Sequence, residues 1–415
     1  MITRRTFLQS ALAGLSCSVF PGWMPRLAFT PQNAAPRGDV LVCLFLRGAA
    51  DALNIVVPYG EAEYYRQRPT IAVARPDDGR FDSSLRAMDL DGFFGLHPAL
   101  APLLPAWQQK ELAFVHACGA PDESRSHFQA MELMERGVEA VSGPASGWLG
   151  RHLASLDTQN NSPLRALSIG ERVPRMLHGN VPATALRSIA DFHLKGNGAA
   201  TLEMQRALAR LYADDALLGA NGRETLDTLA LIAKLNATQY TPRRGVQYPD
   251  SELGMGLKQI AALLKAEVGL EIACVDVGGW DTHVAQGGGE GAMAELLRDV
   301  GASLAAFYAD VRADSGKLSI VVMSEFGRRV QENGGLGTDH GHGSVMWLLG
   351  GGMRGGRVHG EWNGLQPEAL FEGIDLAVTT DYRNVLGEIL FKRLGNPNLD
   401  AVFPNYRVTM RGVTR

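Results

Sequence analysis

The sequence predicts an α/β protein built on a mostly parallel sheet with helices on both faces and a mainly helical insertion. Three observations predict it. Short runs rich in branched apolar residues recur along the chain, helical periodicity fills stretches between and after them, and ligand-type side chains gather directly after the runs. Buried parallel strands read as continuous apolar runs. Strands alternating with helices call for a sheet covered on both faces.

Taken in order, the predicted strands cover residues 40–46 (VLVCLFL), 112–117, 271–277, 318–323 (LSIVVM) and 345–349. Each is four to eight residues long, as buried strands are. Helical periodicity predicts helices over 127–136, 292–311 and 382–394, the last with Val385, Leu386, Ile389 and Leu390 on one face. Residues from about 150 to 265 are more polar, with candidate helices over 201–218, 224–235 and 254–266. That segment reads as a helical insertion or cap on a single α/β domain spanning residues 31–415. No internal repeat or low-complexity tract is visible.

Residues 1–30 read as a twin-arginine signal peptide. Thr3-Arg4-Arg5-Thr6-Phe7-Leu8 carries the paired arginines, and an apolar stretch runs on to Phe20. The expected partner is therefore the twin-arginine translocase, and the expected location is periplasmic or otherwise exported. Cys43, Cys118 and Cys274 each lie in an apolar strand-like run, which predicts buried free thiols rather than a disulfide framework. No second apolar run reaches the ~18 residues a span requires, so the mature form is expected to have no stable membrane span. A net charge of −4 with 20% charged residues supplies no basic field for nucleic acid.

The chemistry concentrates after the strands. Arg47-Gly48-Ala49-Ala50-Asp51 follows the first, Gly279-Trp280-Asp281-Thr282-His283 the third, and Ser324-Glu325 the fourth, while Asp339-His340-Gly341-His342 precedes the fifth. In open α/β sheets ligands bind outside the carboxyl ends of the strands. Asp51, Asp281, His283, Glu325, Asp339, His340 and His342 thus form a mixed oxygen and nitrogen set suited to one or two divalent ions such as zinc, manganese or calcium. Each alone also has a structural reading: Asp51 as a turn cap, Asp281 as an Asx-turn residue, His340 as a surface histidine. Ser126 opens a helix, where the dipole favours an anion, and is the candidate nucleophile, with a plain N-cap as its alternative. Arg47 and Arg125 are candidate clamps for a phosphate or sulfate, Arg47 equally a structural ion-pair partner. His127 is open between ligand, base and helix-face histidine.

The segments FLRGAADALNIVVPYG, FFGLHPAL, SRSHFQAMELMERG, GGWDTH, SEFGRRVQENGG, GTDHGHG and TTDYRNVL together resemble the signatures of a bacterial family, domain of unknown function 1501 (DUF1501), over nearly the whole chain. That family is similar to the alkaline phosphatase and sulfatase superfamily. The resemblance implies a three-layer sandwich with Asp51 as first-strand ligand, Ser126 as nucleophile, Asp281 with His283 as middle ligands, and His340 or His342 as the last. Phe326 departs from the superfamily pattern by standing where a metal-binding histidine is expected. Glu325 stands in place of an aspartate, and Asp281 and His283 are closer in sequence than the superfamily pattern has them. The implied function is an exported metal-dependent hydrolase of small phosphate or sulfate esters. Its rival is a non-catalytic exported binding or assembly protein that keeps the fold.

Overall fold

The computed structural model describes residues 38–415 apart from 157, 159, 313–316 and most positions of 190–239. Residues 1–30, expected to be a signal peptide, lie outside the described residues, as do most of the helices predicted over 201–218 and 224–235. Twelve strands are described: β1 Val40–Leu46, β2 Val56–Val57, β3 Met88–Asp89, β4 Gly95–Leu96, β5 Leu112–Gly119, β6 Ala166–Ile169, β7 Thr184–Leu186, β8 Ile272–Val277, β9 Leu318–Met323, β10 Ser344–Leu349, β11 Arg357–His359 and β12 Thr380–Asp381. Nine of them form one sheet in the order β11-β5-β10-β9-β1-β8-β6-β7, with β12 also paired to β5. All pairings in it are parallel except those of β10, which runs antiparallel to β5 and β9. The remaining three make a small antiparallel sheet.

The three layers follow from the two-residue period of a strand whose every residue is apolar. Along β1, Val40, Val42, Leu44 and Leu46 face one layer with Leu257 and Ile260 of α1 (Glu252–Lys265) and Leu297, Val300 and Leu304 of α2 (Ala292–Val311). Leu41, Cys43 and Phe45 face the other, with Met134 of the His127–Arg136 helix and Val385, Leu386 and Ile389 of the Tyr382–Lys392 helix. Each such fully buried aliphatic side chain contributes about 1.5–3 kcal/mol. Cys43, Cys118 and Cys274 are free and buried, as the sequence predicts.

Two features differ from the sequence reading. The segment from 150 to 265 is not only helical: β6 and β7 extend the central sheet beyond β8, with Leu167 beside Ala273. These strands of four and three residues are too short to carry a readable period. Helix α1 starts at Glu252 rather than 254 because the Ser251 side chain caps it, accepting the Gly254 N–H at 3.0 Å. Among the described residues no helix is long and apolar enough to cross a membrane.

Strands β1, β5, β8 and β9 share one direction, so their carboxyl ends meet at one edge. Antiparallel β10 begins at that edge. The loops before β10 and after the other four therefore converge.

Candidate metal centre

Four donor side chains meet there. His127 is the first residue of the His127–Arg136 helix after β5, Asp281 and His283 follow β8, and His340 precedes β10. His127, Asp281 and His340 each offer one donor atom, all within 4.8 Å of one another, in a triad able to hold a metal ion. The Nε2 of His340 lies 2.9 Å from Nε2 of His127 and 3.2 Å from Oδ1 of Asp281, which is 3.4 Å from the His127 Nε2. His283 adjoins the triad, its Nε2 2.9 Å from that of His340 and 3.0 Å from Asp281 Oδ1.

The far side of each ring decides what these contacts are. His127 Nδ1 is 2.7 Å from Glu325 Oε1, His283 Nδ1 is 3.2 Å from Asp339 Oδ1, and His340 Nδ1 is 2.8 Å from the Arg125 carbonyl oxygen. A carbonyl or carboxylate oxygen accepts, so each Nδ1 carries a proton, and in its neutral form each ring turns a lone pair on Nε2 toward the others. Bare lone pairs at 2.9 Å repel, and a cation among them removes the repulsion. Donors on a tetrahedral ion with bonds of about 2.0–2.1 Å stand roughly 3.3 Å apart, close to these separations. Acceptors behind the ligating imidazoles are the usual support of a metal centre.

The loops are pinned by Arg328, whose side chain is fully buried. Its Nε donates to the Ala49 carbonyl at 2.7 Å, one terminal nitrogen to that of Thr338 at 2.9 Å, and the other to those of Gly48 and Trp280 and to Asp281 Oδ1 at 2.6 Å. Burial opposes the Asp281 charge, yet Arg328, with His340 and His283, holds the carboxyl down at about 2. His340 is pushed below its ordinary value, chiefly by burial. The turn after β1 passes so close to Asp281 that a Cβ on Gly48, at φ +117°, would stand 2.6 Å from the Asp281 nitrogen. Phe326 does not ligate: it stacks on His127 with centroids 5.0 Å apart and packs beside His340 at 5.3 Å, flooring the centre.

Residues 39–392 match the family model described as protein of unknown function (DUF1501). The chain belongs to the DUF1501 family. No curated protein and no solved structure matches it.

In this DUF1501 protein the other predicted site residues fall in different places. Glu325, buried, serves His127 and accepts the Gly48 N–H at 2.8 Å, while Asp339 serves His283 and accepts from Asn333 at 2.9 Å. Both stand behind imidazoles instead of facing the centre. Hydrogen bonding by Asn333 heads the causes that lower the Asp339 carboxyl. His342 turns the other way and stacks on Phe371 at 4.4 Å. Asp51 is not in the cluster. Its oxygens are taken by buried Arg68 at 2.5 and 3.0 Å and by Gln286 at 2.6 Å, while Oδ1 caps Leu53. Arg47 is an ion-pair partner of Glu135 and Asp276, and Arg125 of Glu372 and Asp375, so neither guanidinium is free to clamp an anion. Arg125 contributes its carbonyl instead. Ser126 occupies the N-cap position, exposed and without a side-chain capping bond. His127, which the sequence leaves open, is in the triad. Its signal was a histidine opening a helix at the carboxyl end of a strand. Arg328 carried no signal beyond its place after Ser324-Glu325.

Proposed function

We propose that this protein is an exported, metal-dependent hydrolase of phosphate or sulfate esters. The observation that carries the reading is the convergence of imidazole lone pairs on the Asp281 carboxylate, each ring locked by an acceptor on Nδ1. A nitrogen-rich donor set of this kind suits zinc or manganese better than calcium, which prefers oxygen. A divalent ion there would supply Lewis acidity to an anionic ester oxygen. His127, Asp281 and His340 would hold it, with His283 adjoining. Arg328 keeps Asp281 ionised, and Phe326 holds the His127 ring in plane. Ser126, exposed beside His127, is the nucleophile in this reading, at a helix start where the dipole favours its alkoxide. The resemblance of the sequence motifs to those of the alkaline phosphatase superfamily favours the same assignment.

A second reading, a binding or assembly protein with a structural ion, is favoured by Phe326 at a ligand position and by Asp51 locked to Arg68. Metal content and turnover of aryl phosphates and aryl sulfates separate the two. Protein from the exported fraction is compared with His340→Ala and Ser126→Ala. Metal lost in the first variant, and turnover lost with metal retained in the second, supports the hydrolase. Retained metal in all three with no turnover supports the binding protein. Export is tested by replacing Arg4 and Arg5 with lysine, which should leave the chain in the cytoplasm.

A further inference from the structure

Exposed apolar side chains directly follow two of the four donor residues in the chain. Phe128, next to His127, is 87% exposed, and Val284, next to His283, is 71% exposed. Leu336, 52% exposed, joins Val284 because two loops are laced together. The Ala285 N–H donates to the Gly335 carbonyl and the Gln286 N–H to that of Leu336, both at 2.9 Å, and the Thr338 N–H donates to that of Thr282 at 3.1 Å. A Cβ on Gly335 would stand 3.5 Å from a Val284 methyl. Two residues of this rim, Ala285 at φ 49° and Leu336 at φ 58°, are left-handed. That conformation is costly for a non-glycine residue, and strain of this kind gathers at functional sites. An exposed leucine there gains no burial to offset it, whereas asparagine or glycine would cost less.

We propose that the centre acts on an amphiphile: an ester whose anionic head meets the donor cluster while an alkyl or aryl group lies on Phe128, Val284 and Leu336. This rests on the reading of the cluster as the metal site of an ester hydrolase. A small molecule fits the rim better than a protein. Three side chains present roughly a few hundred Å² at most, below the ~800 Å² per partner that a stable protein interface needs.

The test uses zinc-loaded full-length protein, with ethylphosphonate and octylphosphonate as non-hydrolysable probes titrated calorimetrically below micelle-forming concentrations. Each buried methylene is worth about fourfold in affinity, so burying two of the extra six gives the octyl probe more than about a tenfold advantage. In the variant Phe128→Ser, Val284→Thr, Leu336→Asn, whose asparagine suits the left-handed backbone, that ratio should fall toward one with zinc content unchanged. Failure to bind zinc would overturn the underlying metal reading and the inference with it. Zinc bound without either phosphonate would overturn the ester head. Equal affinity for the two probes would overturn the amphiphile and leave the metal reading standing. An octyl preference that survives in the variant, or in zinc-free protein, would overturn the assignment of the rim to the substrate tail.

Discussion

Glu325→Gln removes one charge and almost nothing else. In the native site Oε1 accepts from both His127 Nδ1 and the Gly48 N–H, and Oε2 lies 3.1 Å from the Ser324 hydroxyl. Glutamine keeps Oε1 for the first two partners. Its amide can donate to the Ser324 oxygen, which already donates to the Leu46 carbonyl at 2.7 Å. The groups bonded in the native site keep their partners and only the second amide hydrogen lacks one, so the metal-free protein should lose no more than about 1–3 kcal/mol of stability. What is lost is the carboxylate that makes His127 a stronger donor. Removing such a partner costs about 10–100-fold in metal affinity, or about 1.4–2.7 kcal/mol. Competition against a chromophoric chelator reads this directly. A variant that binds zinc within about threefold of wild type would refute the argument that Glu325 works through His127.

Two other perturbations follow from the same geometry. Asp51→Ala should destabilise the fold by about 3–5 kcal/mol in urea, because it leaves Arg68 buried without its counter-charge, yet metal content should persist. Loss of metal at unchanged stability would make Asp51 a ligand after all. In chelator-treated protein, Asp281 has a folded pKa lowered from the ordinary 3.8 to about 2. Its stabilisation is therefore present above the unfolded value and lost as pH falls from there through about 2. The stability curve of Asp281→Asn should be flatter across that window, and an identical acid limb in both proteins would argue against the Arg328 contact.

Much of the frame was legible because burial leaves a plain mark. Residues 40–46 are an uninterrupted apolar run and 318–323 one broken only by Ser319, and they form the two innermost parallel strands with those bounds. The convergence of Asp281, His283 and His340 was legible for a topological reason: groups after parallel strands share an edge. Which atom faces the centre was not legible. Glu325 and Asp339 have ligand chemistry but lie one layer back, a choice made by ring orientation. His340 and His342 are two residues apart, a spacing that would put both on one face of a regular strand, but the chain bends at His342, so one meets the cluster and the other Phe371. The pairing of Asp51 with Arg68 was not legible either, because Arg68 lies in a segment with no strand to mark its place.

Arg328 gives the centre a mechanical character. One rigid planar group gathers carbonyls from the loops after β1 and β8 and from the loop before β10. No single loop can fray without stripping partners from a buried cation, so the assembly opens as a clasp, all strands of it together or none. A divalent ion binding there would find the donors already in place.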